Sequence, residues 1–366
     1  MELVQGTVCQ RVPAVRTSFK NEVIVVTGAA GTVGSEILKL LIEEYQPSEI
    51  RLYDNNESEI FLLDQQYRNT GIVTPYLGDV RDPNKLALVF KGADTVFHLA
   101  AHKHVYLAEY NSFDTVQTNI YGVENVIRAA MQCNVKKVLF TSSDKAVNPT
   151  SVMGTTKLMG ERLITAANIT SYTGNTILAS SRFGNVLGSR GSVVPIFARQ
   201  IQGGGPVTVT DNEMTRFIMS VREAADLVIK GALLAKGGEV FITKMPVVRI
   251  IDLANVMIEM LAPQFGYKPE DIEIQYIGSK PGEKLYEELM SEEETNRSHE
   301  LKDMFVTLPA HRFMYKDVEH TYPGLVQEAV DRAYVSSSET VMSASEIRNF
   351  LETSGLLQNC IDDLGK

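Results

Sequence analysis

From Asn21 onward, short runs of β-branched and apolar residues alternate with longer stretches whose apolar positions recur at helical spacing. The runs VIVVT (23–27), EIRLY (49–53), VTPYL (73–77), TVFHL (95–99), KVLFTS (137–142) and TILASS (176–181) predict strands. The stretches 33–45, 57–68, 83–90, 112–132 and 154–171 predict the helices between them. Apolar strands alternating with helices predict an α/β fold, a doubly wound parallel sheet covered on both faces. After about residue 182 the pattern changes. Gly and Pro become frequent (GNVLGSRGSVVP, then GGGPVTVTD), and a smaller, loop-rich lobe is expected. The chain therefore divides into an extension over 1–20, a main domain over 21–182 that later strands and helices can join, and a lobe mainly over 183–315. A tail over 316–366 follows, with a helix at 344–353 (ASEIRNFLET). Residues 291–303 (SEEETNRSHELKD) are densely charged and read as a solvated loop or helix face.

Composition narrows the class. The 366 residues are 44% hydrophobic and 22% charged, enough apolar material for a sizeable core, so disorder is excluded. The net charge of −10 and the lack of a long basic run argue against a nucleic-acid or polybasic membrane surface. Apolar runs fall far short of the roughly 20 residues a membrane-spanning helix needs, and the first 20 residues hold no continuous apolar segment of the signal-peptide kind. The three cysteines, Cys9, Cys133 and Cys360, form no CxxC pair and point to a reducing cytoplasm.

The chemistry begins at VVTGAAGTVGSEIL, which follows a strand and opens a helix. Gly28, Gly31 and Gly34 give GxxGxxG spacing, with Thr32 and Val33 inside the turn. Such a turn lets the backbone approach a pyrophosphate, whose charge sits on the helix N-terminus. Asp54 ends the next strand, 20 residues beyond Gly34. A carboxylate there accepts both ribose hydroxyls and repels a 2′-phosphate, and no Arg follows it, so NAD is expected rather than NADP. Asp79 and Val80 in GDVRD end the third strand, where an adenine ring would lie. Leu99, Ala100 and Ala101 end the fourth, where the backbone passes close to the dinucleotide. His98, His102 and His104 lack a nearby carboxylate partner, and no metal site is expected.

VTGAAGTVGSE, GDVRD, HLAAHKH, TNIYGVENV, TSSDKAVNP, GTTKLMGE and SRFGNVLGS occur in order. Over roughly residues 21–310 the chain resembles the extended short-chain dehydrogenase/reductases, whose fold is of the Rossmann type. With EMTRF (213–217) and KPGEKLYEEL (280–289) it looks, more narrowly, like the CapD-like polysaccharide-biosynthesis group, the UDP-N-acetylglucosamine 4,6-dehydratases. Some members of that group carry an N-terminal transmembrane region; this chain resembles the form without one. It departs from the YxxxK pair of most short-chain dehydrogenases: the position four before Lys157 is Met153, and a thioether neither gives nor takes a proton near neutral pH. In this it resembles the large membrane-bound dehydratases of the group.

The resemblance implies a reaction on a nucleotide sugar. Oxidation at carbon 4 acidifies the proton on carbon 5, water leaves from carbon 6, and hydride returns to carbon 6. It makes Asp144 the acid at the carbon 6 hydroxyl and Lys145 the base at carbon 5. The corresponding pair in dehydratases of plain hexoses is Asp–Glu, so Lys145 points to an acetamido sugar. Ser143 is placed to bind the carbon 4 hydroxyl or relay its proton, and Lys157 to hold the nicotinamide ribose; the carbon 4 base itself stays unassigned. On the substrate side the resemblance implies Asn185 near the diphosphate, Ser189 lining the same cleft, Arg216 pairing with diphosphate, Glu283 meeting the nucleoside, and Lys103 contacting sugar or phosphate. A homo-oligomer is expected, with helices 112–132 and 154–171 as candidate contact surfaces. Two alternatives stay open: a nucleotide-sugar 4-epimerase, and a non-catalytic dinucleotide sensor that the Met153 departure would suit.

Overall fold

A computed structural model describes residues 18–169, 176–189, 191–278, 282–311, 318–357 and 361. Most of the expected extension, with Cys9, and Cys360 in the tail lie outside the described residues.

The first half is built from strands β1 (Val23–Thr27), β2 (Glu49–Asp54), β3 (Val73–Leu77), β4 (Thr95–His98), β5 (Lys137–Ser143) and β6 (Ile177–Phe183). Between them run α1 (Thr32–Leu40), α2 (Glu57–Tyr67), α3 (Pro83–Phe90), α4 (Val105–Tyr110), α5 (Ser112–Val116), α6 (Gly122–Gln132) and α7 (Val152–Ala167). The expected strands and helices fall at these places. Helix α4, inserted between β4 and α5, was not anticipated, and α5 joins α6 through one π-helical turn, Gln117–Tyr121. Local chemistry explains the helix starts. Asn56 caps α2, Asp82 caps α3 with Pro83 behind it, and Ser151 caps α7, each side chain accepting an otherwise orphaned backbone N–H.

All pairings among β1–β6 are parallel, in the order β3-β2-β1-β4-β5-β6. The order reverses between β1 and β4, and that switch point opens a crevice beyond the carboxyl ends of the strands. Strands β1, β4 and β5 are buried almost throughout, which is why they read as continuous apolar runs.

The second half adds β7 (Asn185–Val186), α8 (Val193–Gln202), β8 (Val207–Val209), β9 (Thr215–Met219), α9 (Val221–Leu234), β10 (Val240–Thr243), β11 (Val247–Arg249) and α10 (Ile250–Leu261). Then come β12 (Ile274–Tyr276), β13 (Glu288–Met290), α11 (Glu292–Thr295), β14 (Ser298–Leu301), β15 (Met304–Thr307), β16 (Leu325–Gln327), β17 (Tyr334–Val335) and α12 (Ala344–Thr353). The large sheet does not end near residue 182. Strand β10 pairs parallel with β6, and β15, β14 and β16 continue it antiparallel, giving ten strands among the described residues. The smaller lobe has its own apolar core, in which α8, α10 and α12 contribute Phe197, Leu253, Met257 and Leu351.

One expectation is corrected here. Residues 291–303 are not a solvated loop or helix face: Glu294 is buried, and Ser298–Leu301 is a sheet strand. Glu294 is inside because Arg182, itself buried on β6, meets it with two hydrogen bonds of 3.0 Å. A dense run of charge reports solvation only where no buried partner of opposite sign exists.

Candidate active site

The crevice at the switch point is a cleft of about 1120 Å³. Its floor is the glycine-rich turn between β1 and α1. Gly28 sits at φ +72°, and a Cβ on it would lie 2.6 Å from the backbone N of Ala100, so the ends of β1 and β4 can approach only because residue 28 is glycine. Asp54 closes this end. Its Oδ2 accepts the Ala30 N–H at 3.0 Å and its Oδ1 accepts the Asn56 N–H at 3.0 Å, so the carboxylate is fixed at the cleft edge. Asp79 is tied back by Arg81, whose guanidinium holds its carboxyl below the usual range.

The reactive corner follows β5. Ser143 ends the strand and Asp144–Ala146 form one turn of 3₁₀ helix. The Ser143 hydroxyl donates to Asp144 Oδ1 at 2.6 Å, and the Lys145 backbone N–H donates to the same oxygen at 2.9 Å. Lys145 Nζ lies 3.1 Å from Asp144 Oδ1, 3.3 Å from Glu287 Oε1 and 3.4 Å from Asn185 Oδ1. Helix α7 is pressed against this turn at Gly154, where a Cβ would meet the Lys145 carbonyl oxygen at 2.2 Å. That contact brings Met153 and Lys157 to the cleft wall. Lys157 Nζ donates to the Thr141 carbonyl at 2.9 Å and lies 4.8 Å from the Phe140 ring centroid. Burial, opposed by Glu161, lowers its pKa to about 8.

Gly28, Gly31, Thr32, Val33, Gly34, Asp54, Asp79, Val80, Leu99, Ala100, Ala101, Lys103, Ser143, Lys145, Met153, Lys157, Asn185, Ser189, Arg216 and Glu283 all line this cleft. Asp144 does not. It is 1% exposed, behind Ser143, with Oδ2 buried and without a hydrogen-bond partner. Arg216 is on the wall, but its guanidinium is engaged. It donates to the Thr215, Leu285 and Lys284 carbonyls and lies 3.6–3.7 Å from Glu287 and Glu283.

Two residues with evident roles escaped the sequence reading. Glu287, four residues after Glu283 in KPGEKLYEEL, is buried against Lys145. Asn119, in TNIYGVENV, accepts the His102 N–H and donates to the His102 carbonyl and Thr156 Oγ1, tying the loop after β4 to α7. His98 is inside the sheet with Nδ1 2.7 Å from Thr27 Oγ1, and burial, then Lys157, lowers its pKa to about 3.

A glycine-rich turn at a sheet switch point, with a hydroxyl, a carboxylate and an amine gathered after β5, defines a dinucleotide-dependent enzyme of the extended short-chain dehydrogenase/reductase type. Residues 24–309 match the family described as polysaccharide biosynthesis protein, and the chain belongs to that family. An uncharacterized membrane protein of Methanocaldococcus jannaschii is 52% identical over 80% of this chain and 87% of its own. A UDP-N-acetylglucosamine 4,6-dehydratase (inverting) of Campylobacter jejuni is 36% identical over 90% of this chain and 96% of its own. The solved structure of Pen from Bacillus thuringiensis superposes with a TM-score of 0.84 at 40% identity, covering 92% of this chain and 99% of Pen. More distant matches include a UDP-glucose 4-epimerase of Rickettsia massiliae, 32% identical over 93% of this chain and 98% of its own. At the level of the fold alone they include DesIV of Streptomyces venezuelae, solved with NAD and TYD, with a TM-score of 0.62 at 18% identity over 72% of this chain and 87% of DesIV. Among the described residues, no helix is long and apolar enough to cross a membrane. The chain is thus a nucleotide-sugar enzyme of the dehydratase and epimerase kind, in a polysaccharide-biosynthesis family.

Proposed function

We propose that the protein is an NAD-dependent 4,6-dehydratase of UDP-N-acetylglucosamine. The observation that carries this reading is the Ser143–Asp144–Lys145 cluster, which offers an acid and a base side by side, with a hydroxyl between the acid and the cleft. The Campylobacter relative's name supports the substrate. An epimerase needs no second acid–base pair, so the Asp144–Lys145 couple, with Asp144 buried and Lys145 on the cleft wall, favours elimination over the epimerase suggested by the Rickettsia match.

The residues present fit the cofactor. The glycine-rich turn lines the cleft beside the α1 N-terminus, where a pyrophosphate would sit, Asp54 is fixed where a ribose would lie, and Lys157 stands at the nicotinamide end. NAD, when bound, supplies a reversible hydride acceptor for the sugar carbon. Ser143 reaches the cleft and, by its 2.6 Å hydrogen bond, Asp144. It takes the proton of the carbon 4 hydroxyl while passing its own to Asp144, which does the work that the absent tyrosine at position 153 does elsewhere. Asp144 then holds the proton that the departing carbon 6 hydroxyl requires, and delivers it by the reverse route. Lys145 removes the carbon 5 proton, now acidic beside the carbonyl, and returns it to the face it left, giving retention where the Campylobacter relative's name says inverting. Each proton taken is given back, so the site ends the cycle as it began. Incubation with UDP-N-acetylglucosamine should yield a product lighter by one water, and product NMR after reaction in deuterated water should show deuterium at carbon 5 with unchanged configuration. No mass loss across a panel of nucleotide sugars would remove the reading.

Cofactor choice gives a separate prediction. A fixed carboxylate beside the ribose repels a 2′-phosphate, so NAD should bind about tenfold or more tighter than NADP. Asp54→Ala should narrow that gap in a fluorescence titration; equal affinities in the unmodified protein would contradict the assignment.

Assembly gives another. Phe113 and Tyr121 on the 112–132 stretch and Met159 on α7 are exposed, and Tyr106, Leu107 and Tyr110 on α4 add to the apolar surface. Exposed apolar area of this kind suits pairing with a second copy. Light scattering at micromolar concentration should give an oligomer, and Phe113→Asp should shift it toward monomer. A monomer before substitution would overturn the claim.

A further inference from the structure

Lys145 is the base of the proposed reaction, and an amine can act as a base only after losing its proton. Its surroundings favour the ammonium form. Burial alone would push its pKa down; the negative charges of Asp144, then Glu287, outweigh burial and keep it above its ordinary value. Asp144 takes a proton during the proposed cycle, and its hold on the ammonium then lapses. The carboxylate that keeps facing Lys145 is Glu287.

Glu287 is well placed for this. It precedes β13, which pairs with β17. Its backbone N–H donates to Ser336 Oγ at 2.9 Å, and its carbonyl accepts the Ser336 N–H at 2.9 Å, so its main chain is clamped. The side chain is 3% exposed, with Oε1 3.3 Å from Lys145 Nζ and 3.6 Å from Arg216 Nε. Oε2 is buried and has no hydrogen-bond partner. The other charged groups around this corner are Asp144 after β5, Arg216 on β9 and Glu283 beyond it. Lys284 is turned away, bonded to the Val147 carbonyl and Glu288. Burial, then Asp144, raises the Glu287 pKa against the pull of Lys145 and Arg216.

We propose that Glu287 is a positioning residue whose buried carboxylate holds the Lys145 amine at the reacting corner and governs the pH at which it becomes a base. The kinetic consequence rests on the dehydratase reading; the ionisation of Lys145 does not.

Competitive acetylation of the full-length protein across pH, read at Lys145 by peptide mass spectrometry, tests the ionisation directly. In the unmodified protein Lys145 should label with a midpoint above those of exposed Lys39 and Lys91. In Glu287→Gln the midpoint should fall by about one to two pH units, a ten- to hundredfold loss of proton affinity. Glu287→Asp, which keeps the charge, should lie nearer the parent. NAD affinity, read in parallel, should be unchanged. With UDP-N-acetylglucosamine, the rising limb of kcat against pH should move to lower pH in Glu287→Gln, with KM altered by less than about threefold, since Glu287 acts through Lys145 rather than on bound sugar. An unmoved midpoint in folded Glu287→Gln would overturn the proposal. If that variant fails to fold, a parent midpoint at or below those of Lys39 and Lys91 would do the same. A parent that binds NAD but converts no nucleotide sugar removes the dehydratase reading and leaves the labelling curves to decide this one.

Discussion

Asp144→Asn and Lys145→Ala should each lower the turnover of UDP-N-acetylglucosamine by about 10²–10⁴, the usual loss when a positioned acid or base is removed. Met153→Ala should keep most of it. The contrast follows from where the protons go. Asp144 lies behind Ser143 and off the cleft, and the 2.6 Å bond from the Ser143 hydroxyl is its shortest link to the cleft. Ser143→Ala cuts that link and should resemble Asp144→Asn; Ser143→Thr keeps a hydroxyl and should resemble the parent. Met153 contributes packing, and packing loss hurts catalysis only if the sugar shifts by about an ångström. Because Met153 is 3% exposed, Met153→Leu serves as a volume-conserving control against a general loss of stability. Steady-state kinetics with mass-spectrometric detection reads all six variants. Parent-like turnover by Lys145→Ala would remove its role as base, and collapse of Met153→Leu alongside Met153→Ala would put the thioether itself in the mechanism.

The parts of this site legible in the sequence are those where local chemistry and sheet topology agree. The glycine-rich turn, Asp54 and the turn after β5 all sit at carboxyl ends of parallel strands, and the alternation of apolar runs with helices locates those ends. Spacing along the chain could not reveal what the second half contributes. Glu287 comes to Lys145 from 142 positions away in sequence, and no local pattern distinguishes it from Glu288, which instead faces Lys284 and Asn148. Nor did sequence show that Arg216 is largely occupied: its hydrogen bonds go to the backbone carbonyls of Thr215, Lys284 and Leu285, which carry no residue-type signal. The reading of 291–303 as solvated failed for a related reason. Charge density is a local property, whereas the partner that draws Glu294 inside, Arg182, is on a central strand.

That partner leads to the largest stability effect expected. Arg182 is 1% exposed and spends every guanidinium N–H: Nε and Nη2 on Glu161 at 3.0 and 2.6 Å, Nη1 and Nη2 on Glu294 at 3.0 Å each, and Nη1 on the Leu289 carbonyl at 2.8 Å. The cluster binds β6 to α7, which carries Met153 and Lys157, and to α11, which follows the β13 strand beside Glu287. Removing the cation leaves two carboxylates buried without their partner, and breaking such an arrangement costs about 3–5 kcal/mol. Arg182→Ala should therefore lose that much in urea unfolding. Replacing Arg182, Glu161 and Glu294 together by apolar residues of similar volume should lose far less. The pH dependence has a definite sign. Burial would raise the Glu294 carboxyl, but Arg182 overrides it and holds its pKa at about 2, below the unfolded value. A depressed carboxyl contributes stability that is complete above the unfolded pKa and drains away as pH falls toward the folded one. The stability gap between the parent and Glu294→Gln should accordingly be widest above about pH 5 and narrow steadily toward pH 2. A gap constant over that range, or an Arg182→Ala protein within about 1 kcal/mol of the parent, would show that the cluster is not the clamp its geometry describes.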